Sequence, residues 1–489
     1  MNNAEQYGMK ERNLMARRQG HLPSHEPALP DTVAGQWLAT YLATFNTGAS
    51  GTLHSLMTTN YVAFALDQES AEERALWAAL LFQSTAGLQF HSTEYSAEYA
   101  ITAVARARLT GEWFRITLTV VEEPPHSITQ CDVSFTPRPA HITRSAQDDC
   151  GGPLPAVEAW LDMIAAADLF SGVVLIAKDN VPVFLKAYGW AHKEQQVLNH
   201  VSTRFALASM NKMFTSVAIA QLAEQGRLSF RAPISTYLPA YPRQIADKVT
   251  VHHLLTHTSG LGSYWNTTFR AAEDRLHTVT DFLSLFIDDP LSFEPGESWA
   301  YSNAGFIILG AIIEQLSGQS YAAYVHEHIY VPAEMRSTDV DDADQAASPL
   351  AAGYTRLDAA GLPNLAAWRE MPPGSPLKST PAGGGTSTVQ DLLRFARALQ
   401  TGRLLSPSYT DLVLEGKVTV PGASGMQYAY GFQDVQISGH HIVGHDGSFP
   451  GVNGQLDMYR DLGYTIAILA NYDPPAAGRV TWKLREMIL

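Results

Sequence analysis

Ser209 and Lys212 stand three residues apart in the stretch FALASMNKMFTS. On a helix that spacing puts both side chains on one face. A serine hydroxyl is a poor nucleophile until a base takes its proton. A lysine can be that base if burial or a neighbouring cation lowers its pKa. Met210, Met213, Phe214, Val217 and Leu222 trace an apolar helical face ended by Gln225-Gly226, so the helix is expected to be largely buried, with Ser209 in its first turn. Free backbone N–H groups there favour a developing negative charge. Ser-x-x-Lys alone is a weak signal. Of the nine lysines, two have serine three positions earlier. The second case, Ser375 to Lys378, contains Pro376 in a Pro/Gly-rich stretch that cannot hold one helical face.

Two further groups strengthen the reading. Tyr301-Ser302-Asn303 precedes the apolar run AGFIILGAII. Residues two apart on an extended segment face the same way, so Tyr301 can act as base or proton relay while Asn303 bonds Lys212 and substrate. On its own Tyr301 reads as a half-buried loop tyrosine. The similar Tyr264-Trp265-Asn266 has no helical pattern after it. The third group, His445-Asp446-Gly447 with Ser448, reads as a strand entering a glycine turn. His445 and Gly447 share one face and Asp446 the other. The glycine lets a substrate backbone come close; taken singly, His445 is a histidine on a strand edge.

Positioning these groups requires a scaffold larger than one core. The chain has 489 residues, so at least two domains are expected. Residues 1–30 read as a flexible polar tail. Residues 31–140 carry two helical patterns, the first capped at Asp31 and the second near Ala71 to Leu81. Strand-like runs follow in LQFHSTEYSAEYAITAVARARL, EWFRITLTVVEE and ITQCDVSFTPRP, giving a small α+β domain. Residues 141–154 read as a linker, and residues 155–489 as a second α+β domain. In it, two strands turn at Asp179-Asn180, helices follow, and four strands plus a last helix near Arg479 to Leu489 return to the same antiparallel sheet.

Composition narrows the partners. A net charge of −15 argues against nucleic acid or an anionic membrane surface. The N-terminus lacks a signal-peptide core and the longest apolar run, Ala304 to Ile313, is too short to span a bilayer, which predicts a cytoplasmic protein. Cys131 and Cys150 read as free thiols, and the sequon at Asn266 as chance. His326-Glu327-His328, and His253 with His257, lack the H-E-x-x-H spacing and read as solvated or core histidines; neither a metal nor a cofactor is expected.

Residues 155–489 resemble the serine β-lactamase and penicillin-binding-protein-like hydrolases, in the branch with class C β-lactamases, family VIII esterases and D-aminopeptidases. The resemblance rests on Ser209-x-x-Lys212, Tyr301-x-Asn303 and His445-x-Gly447 in order, with LLTHTSGL (254–261), FEPGESWAYSNAGF (293–306) and AGGGTSTVQDLLRF (382–395) in support. It implies an antiparallel sheet flanked by helices, with a helical subdomain. It also implies acylation of Ser209, acid–base work shared by Lys212 and Tyr301, and an oxyanion hole from the Ser209 and Ser448 N–H groups. Many such enzymes place Lys-Thr/Ser-Gly where this chain has His445-Asp446-Gly447. A histidine is mostly neutral near pH 7, so the departure favours esters, or amides without a free carboxylate. Small-ester hydrolysis is the leading expectation. D-amino-acid amidase or aminopeptidase, β-lactamase or DD-peptidase activity, acyl transfer to an alcohol, and a sensor that acylates without turnover are the alternatives. Residues 31–140 resemble the nuclear-transport-factor-2-like and ketosteroid-isomerase-like α+β cone, which implies packing against the hydrolase domain, shaping its entrance or forming a homodimer. Trp265–Leu291 and Asp341–Lys378 are expected to line the pocket.

Overall fold

The computed structural model describes residues 28–139, 153–265, 269, 272, 275–339, 349–372, 379–423 and 425–489. Most of the expected tail and linker, Cys150, the sequon and Ser375 to Lys378 lie outside these residues, as do parts of both expected pocket segments. The chain divides into two compact units, residues 1–136 and 137–489.

In the first unit, Val33–Phe45 is a helix that buries Leu38, Tyr41, Leu42 and Phe45, the i, i+3, i+4, i+7 stripe. Its cap is Thr32, whose hydroxyl accepts from the Gly35 N–H, rather than Asp31, which accepts from Gln36. Ser70 and Glu73 form a reciprocal capping box on the helix Ala71–Thr85. The helices Ser50–Asn60 and Ala63–Gln68 were not expected from the sequence. Four strands form an antiparallel meander, Leu88–Ala97, Ala100–Ala107, Trp113–Val120 and Ile128–Phe135. The first two had read as one run, because the turn at Glu98-Tyr99 carries no Gly, Pro or Asn.

The second unit is built on an eight-stranded antiparallel sheet drawn from both ends of the domain, as expected. Its central strands are His440–Phe449, Val452–Tyr459, Tyr464–Ala470 and Gly172–Lys178, with Val181–Tyr188 at one edge. Asp179 and Asn180 both have positive φ, 50° and 63°, as a two-residue hairpin turn requires. Alternation along Gly172–Lys178 divides its side chains between two cores. Val174 and Ile176 meet Leu161 and Ile164 of the helix Pro153–Ala166 and Val480 and Leu484 of the helix Ala476–Ile488. Val173 and Leu175 face the larger core around Phe214 and Ile308. The sheet thus lies between two helical layers. Phe214 anchors the nucleophile's helix, packing edge-to-face on Phe395 and Tyr330 at 4.8 and 5.3 Å. Burying such a ring contributes roughly 2–3 kcal/mol.

Candidate active site

Ser209 lies in a 3₁₀ turn, Ala208–Asn211, that runs directly into the helix Lys212–Glu224. The sequence implied one continuous α-helix, but the 3₁₀ turn serves the same end, since side chains at i and i+3 eclipse there. Ala208 enters the turn at φ 48°, an unusual conformation for a non-glycine residue and one that tends to persist at functional sites. Ser209 remains half-buried whereas Lys212 is fully buried. The Lys212 Nζ lies 3.3 Å from Ser209 Oγ and donates to Asn303 Oδ1 at 2.8 Å and to the carbonyl of Ala382. Burial brings its pKa down to about 7, partly opposed by the negative charge of Asp446. A neutral amine has two hydrogens. With Asn303 and Ala382 taking both, its lone pair is left for the Ser209 hydroxyl.

Tyr301 and Asn303 arrive on the segment leading into the helix Asn303–Ser317. Ser302 caps that helix: its hydroxyl accepts from Gly305 N–H and donates to the Gly262 carbonyl. The Tyr301 phenol lies near enough to Ser209 for the serine to favour its ionised form, and Lys212 Nζ lies 4.8 Å from the Tyr301 ring centre. Tyr301 is 37% exposed overall, and desolvation by the groups packed around it pushes its pKa up. At neutral pH it is therefore a phenol.

The strand His440–Phe449 forms the opposite wall. Gly447 comes so close to the nucleophile's turn that a Cβ there would sit 2.0 Å from the Leu207 carbonyl oxygen. Here the sequence reading needs correction in detail: the glycine makes room for the protein's own backbone. Ser448 is exposed beside it, and its hydroxyl donates to Asp446. Sequence reasoning placed His445 against substrate. The ring is instead buried, with both nitrogens engaged: Nδ1 is 2.6 Å from the Asp446 carbonyl and Nε2 is 2.9 Å from the Tyr428 hydroxyl. A carbonyl accepts only, so Nδ1 carries the proton, and burial holds the ring neutral with Nε2 accepting from Tyr428.

Sequence reasoning missed two contributors. The Ala382 carbonyl is backbone, held in place by Asn211, whose amide donates to the Thr380 carbonyl at 2.6 Å and to Ser379 at 3.2 Å. Its only trace was the glycine-rich AGGGTS. The other is His257, read as a solvated or core histidine and found buried; its place in LLTHTSGL was the available signal. Among the described residues, no three His, Cys, Asp or Glu side chains converge as a metal-holding set. No helix among them is long and apolar enough to cross a membrane.

The family model described as Beta-lactamase matches residues 159–487. The chain belongs to this family. The β-lactamase family match spans both walls of the site. A penicillin-binding protein of Bacillus subtilis strain 168 is 30% identical over 319 residues, 62% of this chain and 68% of that protein. The crystal structure of a penicillin-binding protein from Bacillus halodurans superposes with a TM-score of 0.58 at 31% identity, covering 66% of this chain and 98% of that one. Esterase EstB of Burkholderia gladioli is 35% identical over 182 residues, 34% of this chain and 46% of EstB, so the match spans less than half of that protein. This β-lactamase-family chain is a serine hydrolase with the family's fold, a mixed architecture of helices and antiparallel sheet.

Proposed function

We propose that the enzyme hydrolyses small carboxylic esters through an acyl-enzyme on Ser209. The observation that carries this reading is the buried Lys212 amine, 3.3 Å from Ser209 Oγ and half neutral near pH 7. Lys212 accepts the Ser209 proton as Oγ attacks the ester carbonyl. The N–H groups of Ser209 and Ser448 hold the oxyanion. The carbon–alkoxy bond then breaks, and the proton from Lys212 reaches the departing oxygen through the Tyr301 phenol. In the second half, a water gives its proton to the same pair and attacks the acyl carbon, and Ser209 leaves with the proton returned. Asn303, its Oδ1 on Lys212, turns its amide NH₂ toward substrate. Gly447 sets the spacing between strand and nucleophile, and His445 supports the strand through Tyr428.

The charge pattern supports an uncharged substrate. The anion felt at Lys212, Tyr301 and His445 is Asp446, while His445 is neutral. A substrate carboxylate would meet repulsion where many relatives offer a lysine. The likeness to EstB over 182 residues is one support for an ester substrate. The first unit, proposed as residues 31–140, is assigned an accessory role in packing or dimerisation. Initial rates on p-nitrophenyl acetate and butyrate should exceed those on D-alanine p-nitroanilide and nitrocefin. Faster turnover of either of the latter would replace the ester assignment.

A further inference from the structure

His257 is a fully buried titratable residue next to the catalytic groups with no part in the chemistry above. It makes two bonds that bracket Tyr301. Its backbone carbonyl accepts from the Ala300 N–H at 3.0 Å, and its Nδ1 accepts from the Ser302 N–H at 3.0 Å. The residues on either side of Tyr301 are thus both tied to one histidine. Its ring also lies 4.3 Å from the Tyr301 ring and 4.5 Å from that of Tyr428, whose hydroxyl meets His445. Because Nδ1 accepts a hydrogen bond it carries no proton, so the ring is neutral with its proton on Nε2. Burial, with Lys212 and His445 nearby, pushes its pKa down in the same direction. The backbone of His257 is left-handed, φ 60°, a conformation that favours Gly and Asn. An ordinary core histidine needs neither this backbone nor this acceptor.

We propose that His257 is a positioning residue that fixes Tyr301 and Asn303 against Lys212 by clasping the backbone on both sides of the tyrosine. The proposal rests on the Ser209–Lys212–Tyr301 reading. Losing the Ser302 anchor lets Tyr301 shift relative to Ser209, and a displacement of about 1 Å can lower a rate roughly 100-fold.

Asparagine tests the idea, because its Oδ1 can occupy the position of Nδ1 and it tolerates positive φ. Glutamine carries its oxygen one bond further out. We would measure kcat and KM on p-nitrophenyl butyrate for His257→Ala, His257→Asn and His257→Gln, each divided by the reactive serine titrated with a fluorophosphonate. His257→Ala and His257→Gln are expected to lose kcat by about 100-fold with KM within about twofold, whereas His257→Asn stays within about tenfold of the unmodified enzyme. If His257→Ala fails to fold, the contrast between Asn and Gln decides. Equal loss in Asn and Gln, or a loss wholly explained by fewer titratable serines, would overturn the proposal. Failure of the unmodified enzyme to label or turn over would instead overturn the proposed function.

Discussion

The protonation of Lys212 is the quantity on which the chemistry turns. Its pKa falls from the ordinary 10.5 to about 7 because the amine is buried. At pH 7 about half the molecules then carry a neutral amine, against roughly one in 3,000 for a free lysine, a difference of roughly 5 kcal/mol. Below the inflection kcat/KM should fall about tenfold per pH unit; above it the rate should level off. Asp446 opposes burial by favouring the charged amine, so Asp446→Asn should move the inflection to lower pH. Lys212→Arg should be inactive throughout, because a guanidinium keeps its proton. Folding stability is coupled to the same group. The unfolded chain binds the extra proton between about pH 7 and the ordinary lysine range, so stability should rise with pH across that window. Initial rates on p-nitrophenyl butyrate from about pH 5.5 to 9.5, corrected for spontaneous hydrolysis, give the profile. A flat profile, an inflection above about pH 9, or an upward shift in Asp446→Asn would refute the assignment of Lys212 as base.

Other substitutions test neighbouring parts of the account. Tyr301→Phe removes the relay hydroxyl and should lower kcat by about 10²- to 10⁴-fold while leaving the protein folded by circular dichroism. Gly447→Ala would press a methyl to 2.0 Å from the Leu207 carbonyl oxygen, so labelling of Ser209 should slow and thermal stability should fall together. Arg485 makes a bidentate pair with the buried Asp457 at 2.8 and 3.0 Å. Arg485→Met leaves that carboxylate uncompensated and should cost about 3–5 kcal/mol in denaturant unfolding.

The parts of this protein legible in its sequence were those where one residue type has one physical use. Asp179-Asn180 announced a hairpin because two adjacent residues that tolerate positive φ suit such a turn. The continuous apolar run Val173 to Ile176 pointed to a strand, and the apolar run from Ala304 to a buried helix. Ser209, Lys212 and Asn303 could be proposed because their functional groups are side chains, and the structure brings the three within hydrogen-bonding reach. The Ala382 carbonyl and the clasp of His257 on Ala300 and Ser302 were hidden, since backbone atoms leave little trace in residue identity. His445 was misread because the residue that fills its Nε2, Tyr428, lies on another strand and no local pattern links the two. The helix Ser50–Asn60 escaped notice because its sequence, SGTLHSLMTTN, is rich in residues of modest helix propensity.

The central claim is that one hydroxyl, at position 209, is the activated nucleophile. Intact-mass spectrometry after treatment with a fluorophosphonate tests it most directly. A single adduct that maps to Ser209 and disappears, along with ester turnover, in Ser209→Ala is the result expected. Labelling at another residue, or turnover surviving in that variant, would contradict the account.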